Sequence, residues 1–145
     1  MTLANGQKEN ETAPLAKLAV ELGQGLRNAR KTRGRSQASL AELAGIEVAT
    51  VQQLERGRGT VRPLVAVMAA LEIGFADQPE GLSLGEWVTG ARTKAKLTQQ
   101  SLATSIGVSK PTVGQIEHGR GQIANLLRVF YALGLSVALR PTSRP

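Results

Sequence analysis

The chain has 145 residues, with 18 lysines and arginines against 11 aspartates and glutamates and a formal net charge of +7, a balance that points to a polyanionic partner such as nucleic acid. With no cysteine and a single histidine, His118, disulfides, thiolate chemistry and a multi-histidine metal site are excluded, and the four aromatic residues Phe75, Trp87, Phe130 and Tyr131 are too few for a platform that stacks single strands. No apolar run approaches the roughly 20 residues of a spanning helix and no signal-peptide order opens the chain, so the expectation is a cytoplasmic protein with no membrane partner, no cofactor and, lacking a nucleophile, metal cluster or phosphate loop, no enzymatic activity.

Residues 1–13 are polar and are expected to form a loose tail. Leu15, Leu18, Leu22, Leu26 and Ala29 then recur at helical spacing, which predicts an amphipathic helix over 14–32. The Ser36 hydroxyl is placed to cap a second helix carrying Leu40 and Ala41, and Gly45 is placed to end it in a left-handed turn. A third helix is predicted over 48–56 with Val51 and Leu54 inward, closed by Gly57-Arg58-Gly59, and Leu64, Val67, Met68 and Leu71 mark a fourth. Ile73 and Phe75 alternate with Gly74 and Ala76, the period of a half-buried strand over 72–76. Gln78-Pro79-Glu80-Gly81 joins turn formers to a helix breaker, so 78–82 reads as a linker.

The series then repeats. An offset of 62 positions aligns Gly23–Ile73 with Gly85–Leu135 without a gap, and 19 of the 51 pairs are identical, which marks a duplicated domain. Leu84, Val88 and Ala91 stand for the first helix, Thr98 for the cap, Leu102 and Ala103 for the second helix, and Gly107 for its end. The third helix falls at 110–118 with Val113 and Ile116 inward, followed by Gly119-Arg120-Gly121, and the fourth holds Leu126, Leu127, Phe130 and Leu133. Leu135, Val137 and Leu139 alternate with Ser136 and Ala138 as a second strand, and 141–145 cannot continue any regular element. The expected architecture is all-α: two tandem four-helix bundles, 14–77 and 83–140, with a small two-stranded antiparallel sheet joining them.

The pattern Gln-x-x-Leu-Ala-x-x-x-Gly-Val-Ser-x-x-Thr-Val-x-x-Ile-Glu-x-Gly-Arg over Gln99–Arg120 resembles the helix-turn-helix of the lambda repressor/Cro family, also called the XRE family, and Gln37–Arg58 resembles it less closely. The resemblance implies a transcriptional regulator, a repressor for instance, that lays its second helix across the backbone of double-stranded DNA and its third in the major groove. Helical geometry agrees, because inward Val113 and Ile116 leave Lys110, Pro111, Gly114, Gln115 and His118 on the opposite face. Carried over position by position, the resemblance makes Gln37 and Gln99 phosphate contacts that brace the third helix, and Ser109, Lys110, Thr112 and Gln115 the reading positions. Lysine suits guanine, and a glutamine amide pairs with adenine. His118 becomes a phosphate neighbour, while Arg56, Arg58 and Arg120 are placed to grip the backbone. The first copy departs from the pattern: Glu47, Val48, Thr50 and Gln53 hold the reading places with Ala49 and Gln52 beside them, so Glu47 would repel phosphate and Val48 and Ala49 offer apolar contact to a thymine methyl. Arg30 with Glu55, and Arg92 with Glu117, recur 25 residues apart, and the resemblance implies an internal salt bridge in each copy. Charge is uneven as well: residues 1–80 hold ten basic and nine acidic side chains, residues 81–145 eight and two.

The ending Leu133–Arg140 resembles the helix-to-strand ending of HipB-like antitoxins, a branch of the same superfamily in which such segments pair between two chains. By that resemblance 72–76 and 135–139 would pair within this one chain, Val137 supplying a ladder donor, and a monomeric pseudo-dimer would set two third helices roughly 34 Å apart on one face of a duplex. The alternative function is an antitoxin or antiactivator whose main partner is a protein (a toxin, an activator or RNA polymerase), with DNA binding for autoregulation.

Overall fold

The computed structural model describes residues 2–142, with side chains described from Ala13 onward; the expectation that 141–145 is loose falls outside the described residues beyond Thr142. Described are α1 (Thr2–Thr32), α2 (Gln37–Ala44), α3 (Val48–Glu55), α4 (Val61–Ala70), β1 (Ile73–Phe75), α5 (Leu84–Lys94), α6 (Gln99–Ile106), α7 (Lys110–Glu117), α8 (Ile123–Leu133) and β2 (Leu139–Pro141). The helix ends follow local chemistry. Ser36, Thr98 and Ser109 each accept an amide of the helix they open, at Ser39, Ser101 and Thr112, and Ser83 and Glu86 close a reciprocal capping box on α5. Gly45 and Gly107 take φ of 72° and 75°, the left-handed turn that frees the chain to reverse into the next helix. No described helix is long and apolar enough to cross a membrane.

The first repeat closes around Leu22, Leu26, Leu40, Val51, Leu54 and Leu64, and the second around Val88, Leu102, Val113, Ile116, Leu126 and Phe130, all at most 1% exposed. The two cores are continuous. Phe75, fully buried, leaves the first repeat on β1 and stands 5.0 Å from Phe130 and 5.9 Å from Trp87, which are 5.4 Å from each other. Tilted and edge-on contacts of this kind add about 0.5–1.5 kcal/mol each beyond the area they bury.

Two expectations are corrected. Periodicity starts the first helix at Pro14, but α1 begins at Thr2, so Pro14 lies inside the helix, where its ring leaves a carbonyl one turn back without an amide donor. The strand at 135–139 is also displaced: β1 pairs antiparallel with β2 in the register Ile73 to Pro141, Gly74 to Arg140 and Phe75 to Leu139, beyond most of the repeat-equivalent segment. Residues 135–138 use their polar groups elsewhere. Leu135 donates its amide to the Phe130 carbonyl, closing the C-terminus of α8, and the Ala138 amide goes to Ser136 Oγ. Val137 is 1% exposed and serves the core, not the ladder. Bonds from Ala76 N–H to the Ala138 carbonyl, 2.7 Å, and from Thr142 N–H to the Glu72 carbonyl, 2.9 Å, flank the sheet.

The third helices of the two repeats are seated by a close backbone approach. A Cβ on Gly23 would fall inside the Glu55 carbonyl, and one on Gly85 inside the Glu117 carbonyl, whereas Gly90 on α5 faces open space. Gly85→Ala is therefore expected to cost about 1–3 kcal/mol through overpacking, and Gly90→Ala to leave stability unchanged or raise it by up to about 1 kcal/mol. Urea unfolding of both variants checks this, and equal midpoints would refute the close approach.

Candidate nucleic-acid interface

Each helix-turn-helix is locked by one buried polar clamp. In the first repeat Arg30 Nε lies 2.6 Å from Glu55 Oε2 and Nη2 lies 3.1 Å from Oε1, while Nη1 donates to the Arg35 carbonyl at 2.8 Å and Gln37 Nε2 donates to Glu55 Oε1 at 3.0 Å. The second repeat reproduces it: Arg92 binds Glu117 at 2.6 and 3.2 Å and the Leu97 carbonyl at 2.8 Å, and Gln99 binds Glu117 at 2.9 Å. One carboxylate thus ties the first helix, the turn after it, the start of the second helix and the end of the third. The expected salt bridges are both present, with side chains 5–12% exposed. Burial alone would raise the pKa of Glu55 and of Glu117. The arginine and glutamine hydrogen bonds and the arginine charge outweigh it, so both carboxyls sit below the usual carboxylate range.

With the third helices fixed this way, their outward faces carry the predicted residues. On α7 Lys110, Gln115 and His118 are exposed and Thr112 is half-buried; on α3 Val48, Ala49, Gln52, Gln53 and Arg56 are exposed and Thr50 is half-buried. Ser109 and Thr112 are joined hydroxyl to hydroxyl at 2.9 Å at the start of α7, so part of their polar capacity goes to the cap. His118 Nδ1 lies 2.7 Å from the Gly114 carbonyl and donates to it, which sets the ring on the end of α7. The faces are not equivalent. Glu47 stands where Ser109 stands and makes no side-chain cap, and Gln52, in the place of Gly114, reaches Gln37 at 3.4 Å.

A polar cleft of about 490 Å³ opens beside α3, lined by Arg27, Arg30, Ser36, Gln37, Gln52, Glu55 and Arg56. Of its cations Arg30 is committed to Glu55, leaving Arg27 and Arg56 exposed at its rim. Periodicity gave no means of grouping those two, because they sit on different helices 29 positions apart.

The contact that sequence reasoning missed joins the loops after the third helices. Val61 N–H donates to the Gly121 carbonyl at 2.8 Å and Ile123 N–H to the Gly59 carbonyl at 2.9 Å, around an antiparallel bridge of Thr60 with Gln122. Every partner lies 62 positions from its own counterpart, the repeat offset, so each loop gives the other the same bond and the bridge is locally isologous. Arg58 and Arg120, both exposed, flank this bridge one residue ahead of Gly59 and Gly121. The repeat offset is the signal that would have found it.

Residues 21–79 match the family model described as a helix-turn-helix domain, and residues 91–137 match one described as helix-turn-helix, both of the XRE type. No curated protein and no solved structure matches the chain.

The clamp carries a pH signature. A carboxyl held low in the folded state contributes stability above its unfolded pKa of about 4.3 and loses it as pH falls through the lower folded value, because the unfolded chain binds more protons in that window. Glu55→Gln is expected to cost about 3 kcal/mol at pH 7 by leaving Arg30 buried without its counter-charge. It should also flatten the fall of stability below about pH 5. Urea midpoints measured from pH 7 to pH 3 for both proteins test this, and parallel curves would refute it.

Proposed function

We propose, from the premise that this chain belongs to the XRE-type helix-turn-helix proteins and carries two such domains in tandem, that it is a DNA-binding regulator acting as a single-chain pseudo-dimer. In this reading α3 and α7 each enter the major groove of one operator, and one chain does what two chains of a symmetric dimer do. The observation that carries it is the locally isologous bridge through Thr60 and Gln122, in which equivalent loop residues of the two helix-turn-helix units exchange the same bond, as a pseudo-twofold between them requires. The shared core around Phe75 supports it further, since two independent domains would not bury one another's side chains.

The second domain is the stronger reader. It holds Lys110, Gln115, Gln99, Ser109, Thr112, His118 and Arg120 with few acidic neighbours, whereas the first offers Val48, Ala49, Thr50, Gln52 and Gln53, with Gln37, Arg56 and Arg58 for the backbone. Two unlike half-sites follow, one read by charge and hydrogen bonds, the other mostly by apolar contact and phosphate grip. A second reading, in which a protein is the main partner and DNA binding serves autoregulation, draws support from the apolar face of α4 described below.

On a site selected from random duplexes, log affinity should fall linearly with log salt by about 0.9 per phosphate neutralised; a flat response would refute DNA binding. Replacing Lys110 and Gln115 together by Ala should cost about 1–3 kcal/mol of specific binding, and Val48→Ala less. Equal losses would reverse the ranking of the domains.

Titration should give one chain per operator, with the free protein monomeric by sedimentation. Val61→Pro keeps a residue suited to the first helical position but removes the donor to Gly121, and should weaken binding to the full site more than to an isolated second half-site. Two chains per operator, or equal weakening of both, would refute the pseudo-dimer.

A further inference from the structure

The two repeats differ in what covers their fourth helices. The middle of α1 lies on α8, with Leu15 and Leu18 packed against the core and Leu15 beside Ile106 and Tyr131, and Leu127 of α8 is 2% exposed. On α4 the residue 62 positions earlier, Val65, is 41% exposed. The repeat offset explains the difference. The stretch of α1 from residue 13 to 20 corresponds to residues 75 to 82, which run as the end of β1 and a turn-rich linker, with Asp77 and Glu80 in the places of Leu15 and Leu18. The linker cannot fill the space a helix fills, and a cleft of about 500 Å³ remains, lined by Val65, Met68, Ala69, Phe75, Leu82 and Leu84 among others. None of its lining residues lies on α3 or α7.

We propose that this cleft is a docking site for an amphipathic helix of a partner protein, apolar at i, i+3 and i+7 and basic along its edge. The chain carries its own template for the occupant, since Leu15 and Leu18 take the i and i+3 places where α1 packs on α8, and Leu22 at i+7 turns into the first repeat's core. Charge selects the edge. Glu80 lines the cleft, and Glu72 and Asp77 are exposed next in the chain to lining Ile73 and Gln78; of the cations, Arg140 lines it but donates to the carbonyls of Ala76 and Gln78 and lies 4.0 Å from Glu80, and Arg62 is exposed one turn before Val65. The apolar floor supplies the burial, and the acidic rim excludes an acidic helix.

The probe is a fluorescein-labelled peptide of residues 13–27, APLAKLAVELGQGLR, whose leucines carry the template spacing, added to the full chain. Saturable anisotropy is expected, weakened at least tenfold by Val65→Asp and by Ala69→Asp, with the duplex affinity of both variants equal to that of the parent chain. Hydrogen exchange on the unaltered chain should show the peptide slowing amides of α4 and β1. No saturable binding, protection confined to α8, or binding indifferent to both substitutions would overturn the proposal. A dimer of the free chain that Val65→Asp dissociates would also overturn it, by assigning the face to a second copy. Failure of the duplex to bind would refute the DNA reading and leave these outcomes to be scored separately.

Discussion

The join between the two halves of this chain is centred on the burial of Phe75, with the packing of α1 on α8 and the β1–β2 pair beside it. Phe75 reaches out of the first repeat on a three-residue strand and lies against Trp87 and Phe130 of the second with none of its surface exposed. Burying a side chain of this size stabilises by roughly 1.5–3 kcal/mol, so the join does not depend on its few hydrogen bonds alone. Given that join, the two amide-to-carbonyl bonds across the Thr60–Gln122 bridge have a fixed geometry to close upon. Without it they would be two exposed loop contacts, each worth at most about 1 kcal/mol. The spacing of α3 from α7 is thus set by apolar packing and only trimmed by polar contact.

Within each repeat the division of labour is sharp. The Arg–Glu pairs are nearly buried and committed to each other, with one amide donor each from Gln37 and Gln99 added to them, so the charges that hold each third helix are not spent on its outward face. A buried ion pair of this kind contributes little net stability over an apolar replacement, but it holds its elements in one geometry and is costly to halve. That suits the proposed reading, in which side chains on a short eight-residue helix would reach base edges whose positions do not adjust. The outward faces are then free to diverge, as Lys110 against Val48 and Gly114 against Gln52 show.

Duplication did not give full symmetry. The bridge obeys the repeat offset, but the sheet does not: β1 pairs with residues past its own counterpart, and Arg140 of that strand donates to the Ala76 and Gln78 carbonyls, holding the start of the linker. Similarly, a long helix precedes the first repeat and a turn-rich linker precedes the second. The fourth helix of the second repeat is therefore covered at Leu127, though not at Tyr131, and that of the first is left with Val65 toward solvent.

The sequence by itself determined the duplication, the helices and, the start of α1 apart, their ends, the inward and outward faces, and the arginine–glutamate pairs. All of these are written in short-range chemistry: capping hydroxyls, glycines at left-handed turns, apolar periods of a helix, and a constant spacing of 25 residues. The candidate reading residues were legible for the same reason, since a third helix with two buried positions has only one face left. Tertiary structure alone decided that Phe75 enters the other repeat's core, that residues 139–141 and not 135–137 complete the sheet, that Thr60 meets Gln122, and that α4 stays uncovered. Those outcomes depend on which of several apolar surfaces, far apart in the chain, bury one another. Periodicity states that a face is apolar, but what covers it is settled only when all the faces compete in one packed core.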